Sequence, residues 1–383
     1  MTKTYEEINE KIRSGEAVVL TAEEVIDLVK EKGVEKAAEE VDVVTTGTYG
    51  AMCSSGAFLN FGHSDPPIRM TNIRLNGVEA YGGLAAVDTY IGATSLIDPP
   101  GKGYGGAHVI EDLIAGKSVH LQAWGPGTDC YVRKSIDTYV SLDDLNEAYL
   151  YNPRNMYQNY SVATNTSNRT LYTYMGKLMP HMKNATYSSA GELSPLMNDP
   201  HLDVIGMGTR IFLAGGEGYV AWQGTQFNTT AEEVNGVPVK GSRTLAVMGD
   251  MKQMDPDYVR GLDITGYGIS LAIGIGVPIP VLNEDVMRRC AISNDQIFAE
   301  MVDYSLPSNR PCMQRYSYEE LRSGMIEYQG KKIRTSSMSS LAGARKVAGK
   351  LKDWIEHGEF LLNEPALKLP ESGSVKPLLE RGE

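Results

Sequence analysis

The stretch from Val41 to Gly56 reads VDVVTTGTYGAMCSSG, and it is the part of the chain that decides the predicted fold. Its first six residues, Val41–Thr46, are mostly β-branched, which favours a buried strand. The remainder is a loop of glycine, serine and other small residues around Cys53. A helix is predicted directly before the strand, over Ala22–Val41. A helix, a strand and then a small-residue loop is an arrangement by which α/β enzymes present a site at the end of a strand.

Outward from this stretch, helix and strand patterns interleave early in the chain, and strand patterns dominate the middle. The pair Asn76-Gly77, set between alternating residues, predicts a hairpin. Short helices are predicted over Leu142–Leu150 and Met254–Arg260, and Ser339–His357 is the clearest amphipathic helix. We therefore predict a mixed α and β fold, of the α+β or α/β class, in which mixed sheets carry flanking helices. A simple doubly wound Rossmann fold fits this order poorly.

The length of 383 residues and the hydrophobic content of 42% are ample for a large buried core. We expect residues 1–370 to form a single large catalytic domain, with two intimately packed lobes as the open alternative. Residues 371–383, which follow a segment rich in Pro and Glu, are expected to form an extended tail.

The formal net charge of −12 bears on the partners that the chain can have. A strongly acidic chain repels phosphate backbones and anionic lipid surfaces, so neither nucleic acid nor a membrane is expected as a partner. The first residues are polar and lack the apolar segment of a secretion signal, so we expect a cytoplasmic location. An anionic metabolite remains compatible with this charge, because one local Arg or Lys can make a pocket positive.

The four cysteines are widely spaced, with no CxxC pair and no zinc-type spacing. HExxH, Walker A and GxSxG motifs are also absent from the sequence, so no metal site is predicted. Cys290 ends a predicted helix and is interpreted as a core residue. Cys312 lies in a basic loop without other site-like residues.

Cys130 is the first candidate for a working thiol. It follows the turn Gly125-Pro-Gly-Thr-Asp129, which can present the sulfur to a pocket. Arg133 or Lys134 could lower the thiol pKa if either side chain folds back toward it. The alternative, an inert buried cysteine at the start of a strand, stays equally open.

Cys53 is the second candidate, because its small neighbours allow close approach of a ligand. Ser54 and Ser55 could donate hydrogen bonds to a thiolate or an oxyanion. A packed turn in which the cysteine only fills space is the alternative. Two cysteines in separate glycine-rich loops suggest an attacking thiol and a resolving thiol.

Other polar residues near these loops are weaker candidates. His63 lies in a polar loop and could act as a general acid or base. Arg69 or Arg133 could clamp a substrate carboxylate, although solvent-facing strand positions are the simpler interpretation of Arg69. Gly101–Gly106 matches G-x-G-x-x-G, but it does not run straight off a strand and the acidic partner is missing, so a dinucleotide site is not predicted.

The chain resembles the homocysteine biosynthesis protein family, a group also described as aspartate-semialdehyde sulfurtransferases. The residues that carry the likeness are GAMCSSGA at 50–57, GPGTDCY at 125–131, SYEELRSG at 317–324, and 339–354. The two cysteine loops are the more specific of these motifs, and the likeness extends over roughly Tyr5 to Pro370.

The resemblance implies that sulfide-derived sulfur is inserted into L-aspartate semialdehyde to give L-homocysteine. It implies two functional cysteines, matched here by Cys53 and Cys130, with a persulfide or thiolate on Cys130 and Cys53 assisting. Turning an aldehyde and sulfide into a thiol needs two electrons, so it also implies a ferredoxin-like iron–sulfur partner and no cofactor on this chain. We further expect a homo-oligomer.

Three alternatives remain open at this point. Cys130 could form a thiohemiacetal in an aldehyde dehydrogenase, which would require a nicotinamide site. Cys53, Cys130 and Cys312 could hold an iron–sulfur cluster, although their spacing is unlike known cluster runs. A noncatalytic scaffold could dock a redox partner on its basic C-terminal segment, whose residues are Lys331, Lys332, Arg334, Arg345, Lys346 and Lys350.

Overall fold

The computed structural model describes residues 2–97, 103–154 and 159–380. Eight α-helices occur in these ranges. They are α1 (Tyr5–Ser14), α2 (Ala22–Lys32), α3 (Val34–Glu40), α4 (Gly106–Ile114), α5 (Pro195–Asn198), α6 (Glu284–Cys290), α7 (Tyr318–Arg322) and α8 (Leu341–Glu356).

The described residues also form twenty-six short strands. The first thirteen are β1 (Val19–Thr21), β2 (Val43–Thr45), β3 (Thr48–Ala51), β4 (Gly56–Asn60), β5 (Asn72–Leu75), β6 (Val78–Tyr81), β7 (Asp88–Gly92), β8 (Val119–Trp124), β9 (Ser135–Val140), β10 (Glu147–Asn152), β11 (Val162–Thr164), β12 (Leu171–Thr173) and β13 (Gly176–Leu178). The others are β14 (Asn184–Tyr187), β15 (Arg210–Leu213), β16 (Gly216–Gln223), β17 (Glu233–Val234), β18 (Val237–Pro238), β19 (Leu245–Asp250), β20 (Val259–Ile264), β21 (Gly268–Gly276), β22 (Pro278–Pro280), β23 (Phe298–Asp303), β24 (Gln314–Ser317), β25 (Met325–Tyr328) and β26 (Lys331–Ser337).

The largest sheet has thirteen strands and is antiparallel throughout. Its order is β20-β21-β15-β16-β19-β10-β4-β7-β6-β5-β8-β9, with β3 pairing β21 from the side. A six-stranded sheet, β24-β23-β11-β14-β26-β25, combines parallel and antiparallel pairs, as does the small sheet β1-β2-β22. The predicted mixed α and β fold with mixed sheets is therefore confirmed, and the sheets do not follow a doubly wound order.

Local signals in the sequence placed several elements correctly. Asn76 and Gly77 both have positive φ, 50° and 79°, and they form the tight turn between β5 and β6. This backbone is the one that Asn-Gly favours in a two-residue hairpin. The amphipathic helix α8 begins at Leu341, where the Ser340 side chain caps the first turn by accepting from the Gly343 N–H.

Three predicted helices are wrong in part. Ala22–Val41 is broken at Gly33, whose φ of 84° and ψ of 161° end α2 and allow α3 to begin in a new direction. Leu142–Leu150 holds one short 3₁₀ turn, and strand β10 begins before the segment ends. Strand is favoured over helix here because alternate residues of β10 are buried and β10 pairs with β4 and β19 on either side. Met254–Arg260 likewise has one 3₁₀ turn before β20 begins.

Helix α4 occupies the concave face of the large sheet. It contacts β20 and β21 near one end of the strand order, and β4, β6, β7 and β8 toward the other. Five of its nine residues are apolar and buried, Ala107, Val109, Ile110, Leu113 and Ile114. The sheet must therefore curve around the helix, and this contact forms the centre of the largest hydrophobic core.

Helix α8 lies unusually close to the strands that lead to Cys53. A Cβ atom on Gly47 would clash with the Ala344 carbonyl oxygen and would lie 2.9 Å from the Ala348 nitrogen. Gly274 and Gly276 of β21 would similarly press a Cβ against Val347, at 2.8 Å and 2.9 Å. Glycine at these positions removes the side-chain layer that normally separates a helix from a sheet.

We expect Gly47→Ala to destabilise the fold by about 1–3 kcal/mol, because the added methyl overpacks a backbone contact that cannot relax. Gly349→Ala in α8 is the matched control. A Cβ there meets nothing within 4 Å, so it should stabilise the helix by roughly 0.5–1 kcal/mol. Thermal unfolding of both variants measures these changes, and equal stability of the two variants would contradict the close contact.

Candidate functional site

Cys53 occupies a corner of a tight turn between β3 and β4. The Ser55 N–H donates to the Met52 carbonyl at 3.1 Å, so Cys53 and Ser54 are the two central residues of the turn. Central residues of a β-turn direct their side chains away from the hydrogen bond that closes it. Both side chains accordingly face a cavity, and Cys53 is only partly buried.

Ser55 and Asn152 hold this turn from behind. The Ser55 hydroxyl donates to the Met52 carbonyl at 2.8 Å and accepts from the Asn152 amide nitrogen at 2.8 Å. Both residues are 1% exposed. These contacts show that Ser55 stabilises the turn. Its contact with a substrate remains a prediction.

The strand before the turn is tied to the six-stranded sheet. Beyond the end of β26, Ser339 bridges Gly50 of β3, and its hydroxyl donates to the Tyr49 carbonyl at 3.1 Å. The Ser340 N–H donates to the same carbonyl at 2.7 Å. The Cys53 turn therefore lies where the large sheet meets the segment that connects β26 to α8.

The cavity in front of Cys53 has a volume of about 280 Å³. Its walls come from four separate parts of the chain: the β3–β4 turn, the residue that follows β10, the segment around β11–β13 and the β20–β21 turn. The lining residues are Ala51, Cys53, Ser54, Arg154, Tyr160, Tyr174, Met175 and Tyr267. A thiol, a hydroxyl, a guanidinium and three phenols thus converge on a space of small-metabolite size.

Tyrosine rings make up much of the wall. Tyr174 lies 6.1 Å from Tyr160, 6.4 Å from Tyr267 and 6.1 Å from Tyr304 between ring centroids, in edge-on geometry. The Tyr174 and Tyr304 hydroxyls share a hydrogen bond of 2.8 Å. Burial raises the pKa of Tyr160 to about 12 and also raises the pKa of Tyr304. Tyr160 and Tyr304 thus stay protonated near neutral pH and can donate hydrogen bonds.

Two hydroxyl groups face the Cys53 sulfur. The Ser270 hydroxyl donates to Sγ at 3.1 Å. The Tyr267 phenol is also near the sulfur, and its pKa is raised, mainly by burial and further by Cys53. Hydrogen bonds to sulfur stabilise the charged thiolate, which is the form that attacks an electrophile.

Arg154 supplies positive charge to the cavity. It follows β10, and its backbone N–H donates to the Asn152 side chain at 3.0 Å. Within the part of the chain that the structure describes, no acidic side chain forms an ion pair with it. Arg154 and the tyrosines were missed by sequence reasoning, because no local motif surrounds them and only the fold brings their four segments together.

Cys130 is exposed, on a turn between β8 and β9. Thr128 and Tyr131 close this turn by exchanging two backbone hydrogen bonds, and the Thr128 hydroxyl lies 3.5 Å from the Cys130 sulfur. Cys130 is not among the residues that line the Cys53 cavity.

Three other predicted site residues gather around the Cys130 turn. The His63 ring stacks on Tyr131 with centroids 6.1 Å apart. The Arg133 N–H donates to the Pro67 carbonyl at 3.2 Å, and the main chain of Arg69 packs against Gly125. The structure thus forms two groups, His63, Arg69 and Arg133 with Cys130, and Ser54 and Ser55 with Cys53.

The sheet topology separates the two groups. Strands β4 and β8 run in the same direction, because four antiparallel pairings through β7, β6 and β5 connect them. Cys53 precedes β4, whereas Cys130 follows β8. The two thiols of one chain therefore lie at opposite ends of the strands.

The remaining cysteines lie elsewhere. Cys290 is fully buried in the largest core, and burial raises the pKa of its thiol, which confirms it as a core residue. Cys312 is an exposed residue near β24. Partial desolvation of its sulfur and the negative charge of Glu300 raise the pKa of its thiol. Among residues 2–97, 103–154 and 159–380, no three His, Cys, Asp or Glu side chains are grouped so as to hold a metal ion.

Two further sequence features also have a place in the structure. The predicted basic docking segment is divided between β26 and α8, and Arg345 and Lys346 are paired with Glu23 and Asp257. Gly101 and Lys102 of the G-x-G-x-x-G match lie outside the described residues. No helix in the described part of the chain has the length and apolar character to cross a membrane.

Comparison with known proteins points to one family. A family described as "Homocysteine biosynthesis enzyme, sulfur-incorporation" matches residues 17–362. A Methanosarcina acetivorans protein named L-aspartate semialdehyde sulfurtransferase is 52% identical over 98% of this chain and 74% of its own length. A Methanocaldococcus jannaschii protein of the same name is 52% identical over 94% of this chain and 72% of its own. An uncharacterized Methanothermobacter thermautotrophicus protein is 30% identical over 84% and 72%. No solved structure matches.

The support behind the Cys53 turn is tested by a pair of neighbouring serines. Ser55→Ala should destabilise the protein by about 1–3 kcal/mol, because the buried Asn152 amide loses its acceptor. Ser54→Ala, on the cavity side of the same turn, should change stability by less than about 0.5 kcal/mol. Chemical denaturation measures the free energy of unfolding of both variants. A Ser55→Ala variant as stable as the wild type would contradict the role of Ser55 in stabilising the turn.

Proposed function

This chain belongs to the family of homocysteine biosynthesis enzymes that incorporate sulfur, and from that premise we propose that it inserts sulfide-derived sulfur into L-aspartate semialdehyde to give L-homocysteine. It is a sulfurtransferase of homocysteine biosynthesis. The observation that carries the finer proposal is the Cys53 cavity, where a thiol, a cation and phenolic donors face one small space.

In the proposal, Arg154 binds the carboxylate of the substrate. Arg154 lines the cavity, and the planar fork of donors in a guanidinium matches a carboxylate in two hydrogen bonds. The tyrosine faces suit the positively charged amino group, since an ammonium ion is attracted to the face of an aromatic ring. The two charged ends of an amino acid thereby leave the aldehyde free to approach Cys53.

Sulfur transfer in the cavity begins with a persulfide on Cys53. Its outer sulfur attacks the aldehyde carbon, a C–S bond forms, and the carbonyl oxygen becomes an alkoxide. A tyrosine hydroxyl, from Tyr174 or Tyr267, donates the proton that neutralises this oxygen. Both tyrosines line the cavity that Cys53 faces, which supports this role.

Reduction completes the reaction. Two electrons and one proton cleave the S–S bond, which frees the Cys53 thiolate and leaves a carbon that carries both hydroxyl and thiol. Loss of water gives a thioaldehyde, and two further electrons with two protons give the thiol. Oxidation of sulfide to the persulfide level releases two electrons, which the iron–sulfur partner accepts before it returns four, so the net conversion from sulfide consumes two. We propose that an iron–sulfur protein supplies them and that this chain carries no cofactor.

Cys130 is proposed to take up sulfur from the donor, upstream of the cavity step. Its exposure suits contact with a donor molecule, whereas Cys53 suits contact with the aldehyde. Transfer is an exchange in which the Cys53 thiolate attacks the outer sulfur and releases the Cys130 thiolate. Because the two turns of one chain lie at opposite strand ends, this exchange requires movement of a turn or a second copy of the chain. His63 and Arg133 would then act at the Cys130 turn.

The thiol roles are tested by serine variants assayed for homocysteine with a chemical reductant. Cys53→Ser should lose at least about 100-fold in activity with any sulfur donor, as expected when a nucleophile is removed. Cys130→Ser should lose activity with a protein-bound persulfide donor and keep it with a small polysulfide, which already carries sulfur at the persulfide level and can reach Cys53 directly. Cys312→Ser, which removes an exposed thiol outside both groups, is the control, and an active Cys53→Ser enzyme would overturn the proposal.

The carboxylate clamp is tested with Arg154→Met. Loss of a charged hydrogen-bonded pair should raise KM for L-aspartate semialdehyde by about 10- to 100-fold with a smaller effect on kcat. An aldehyde that lacks a carboxylate should react with both enzymes equally well. Arg334→Met, an exposed strand residue, should change neither, and an unchanged KM in Arg154→Met would place the carboxylate elsewhere.

A further inference from the structure

The large sheet has one face that packs inward and one that faces solvent. Helix α4 covers the inner face, to which Leu59 and Leu150 belong. Phe58 and Tyr149, next to them in β4 and β10, point to the opposite side and are 36% and 40% exposed. We call this opposite side of strands β16, β19, β10, β4, β7, β6, β5, β8 and β9 the outer face.

A continuous uncharged row crosses the outer face. Strand register places directly paired residues in the order Tyr149, Phe58, Tyr90, Tyr81, Asn72 and Trp124, over six neighbouring strands. The Phe58 and Tyr90 rings are 4.7 Å apart between centroids. Five of the six residues in this row are aromatic, and none carries a charge.

Charged side chains flank the row on both sides. On one side, the next row of the sheet contains Glu147 and Asp88, which are both strand partners of Asn60. Glu79 and Arg74 lie at the other side, where they form a long ion pair of 3.7 Å. An uncharged aromatic centre with a polar border is the composition of a protein–protein interface.

The exposed aromatic area is large for an isolated chain. Seven aromatic residues of the outer face are between 36% and 67% exposed: Phe58, Tyr81, Trp124, Tyr139, Tyr149, Tyr219 and Trp222. At 150–250 Å² for each ring, they offer roughly 600 Å² of aromatic surface. With a polar border, this approaches the about 800 Å² per partner that a stable complex buries.

The outer face also has both hollows and projecting rings, a shape that can be complementary to a second copy of the same face. Hollows of about 670 Å³ and about 210 Å³ lie beside Trp124 and beside Phe58. Tyr139, 67% exposed and stacked on His120, projects at the end of the sheet. Projecting rings and hollows on one surface can engage each other when two copies meet about a twofold axis.

We propose that the outer face is the interface with a second copy of this chain, packed sheet against sheet. Twisted sheets pack face to face at about −30°, and the exposed aromatic area is close to what each partner of a stable complex buries. A twofold arrangement places the uncharged rows together and leaves the charged borders in water. The inference stands on the sheet alone and does not depend on the proposed reaction.

Sedimentation of the full chain with charge-introducing variants tests the interface. The wild type should have twice the chain mass, and Tyr81→Glu should dimerise at least about 100-fold more weakly, because a carboxylate would be buried in the uncharged row without a partner. Met325→Glu, at a 45% exposed position of β25, is the matched control and should stay dimeric. Circular dichroism checks folding, and Trp124→Glu is the second variant if Tyr81→Glu does not fold.

Tryptophan fluorescence gives an independent measurement on unmodified protein. Trp124 and Trp222, 41% and 44% exposed in one chain, lie on the outer face, so dilution should shift their emission to the red as the dimer dissociates. A wild type that is monomeric at every soluble concentration would overturn the proposal, since another occupant would then be needed. A dimer that Tyr81→Glu and Trp124→Glu leave intact would equally overturn it.

Discussion

The rest of the structure depends on the direct contact between α8 and the strands that lead to Cys53. Glycines at 47, 274 and 276 let the helix approach the β-sheet backbone without an intervening layer of side chains. The same helix begins just after the segment that bridges β3 to the six-stranded sheet. One contact therefore aligns both sheets, and the cavity opens where they meet. Backbone contacts at β3 and the buried Ser55 and Asn152 side chains together give the Cys53 turn a defined orientation.

The fold places the two cysteines that the family resemblance singles out in opposite physical settings. Cys53 is partly buried, receives a hydrogen bond from Ser270 and faces a cavity lined by three tyrosines. Cys130 stands in water at the other end of the strands, with Thr128 as its near polar neighbour. A buried thiol beside oriented donors suits chemistry on a small aldehyde, whereas an exposed thiol suits exchange with a macromolecular or soluble donor. The separation lets different molecules reach the two thiols, although both thiols would react by the same sulfur exchange.

The same sheet serves two purposes because its faces differ. Strand alternation directs residues such as Leu59 toward α4 and residues such as Phe58 toward solvent. The inner face provides the buried core against which the Cys53 turn is fixed, and the outer face retains aromatic surface that the chain itself does not cover. The uncharged row is a property of register, since its members come from strands far apart in sequence.

The sequence by itself determined the local features and the family. Asn76-Gly77 predicts its hairpin because positive φ is accessible to both residues, and the 3.6-residue period predicts α8. The cysteine loops carry the resemblance because their residues are contiguous. Tertiary structure decided the rest. Leu142–Leu150 ends in strand β10 because β4 and β19 pair with it, and the cavity joins Cys53, Arg154 and Tyr267 from distant segments. Strand direction alone places Cys130 at the far end of the sheet. The propensity for helix, strand or turn depends on neighbouring residues and can be predicted from them. Strand pairing, burial and the convergence of side chains depend on contacts between residues far apart in the chain.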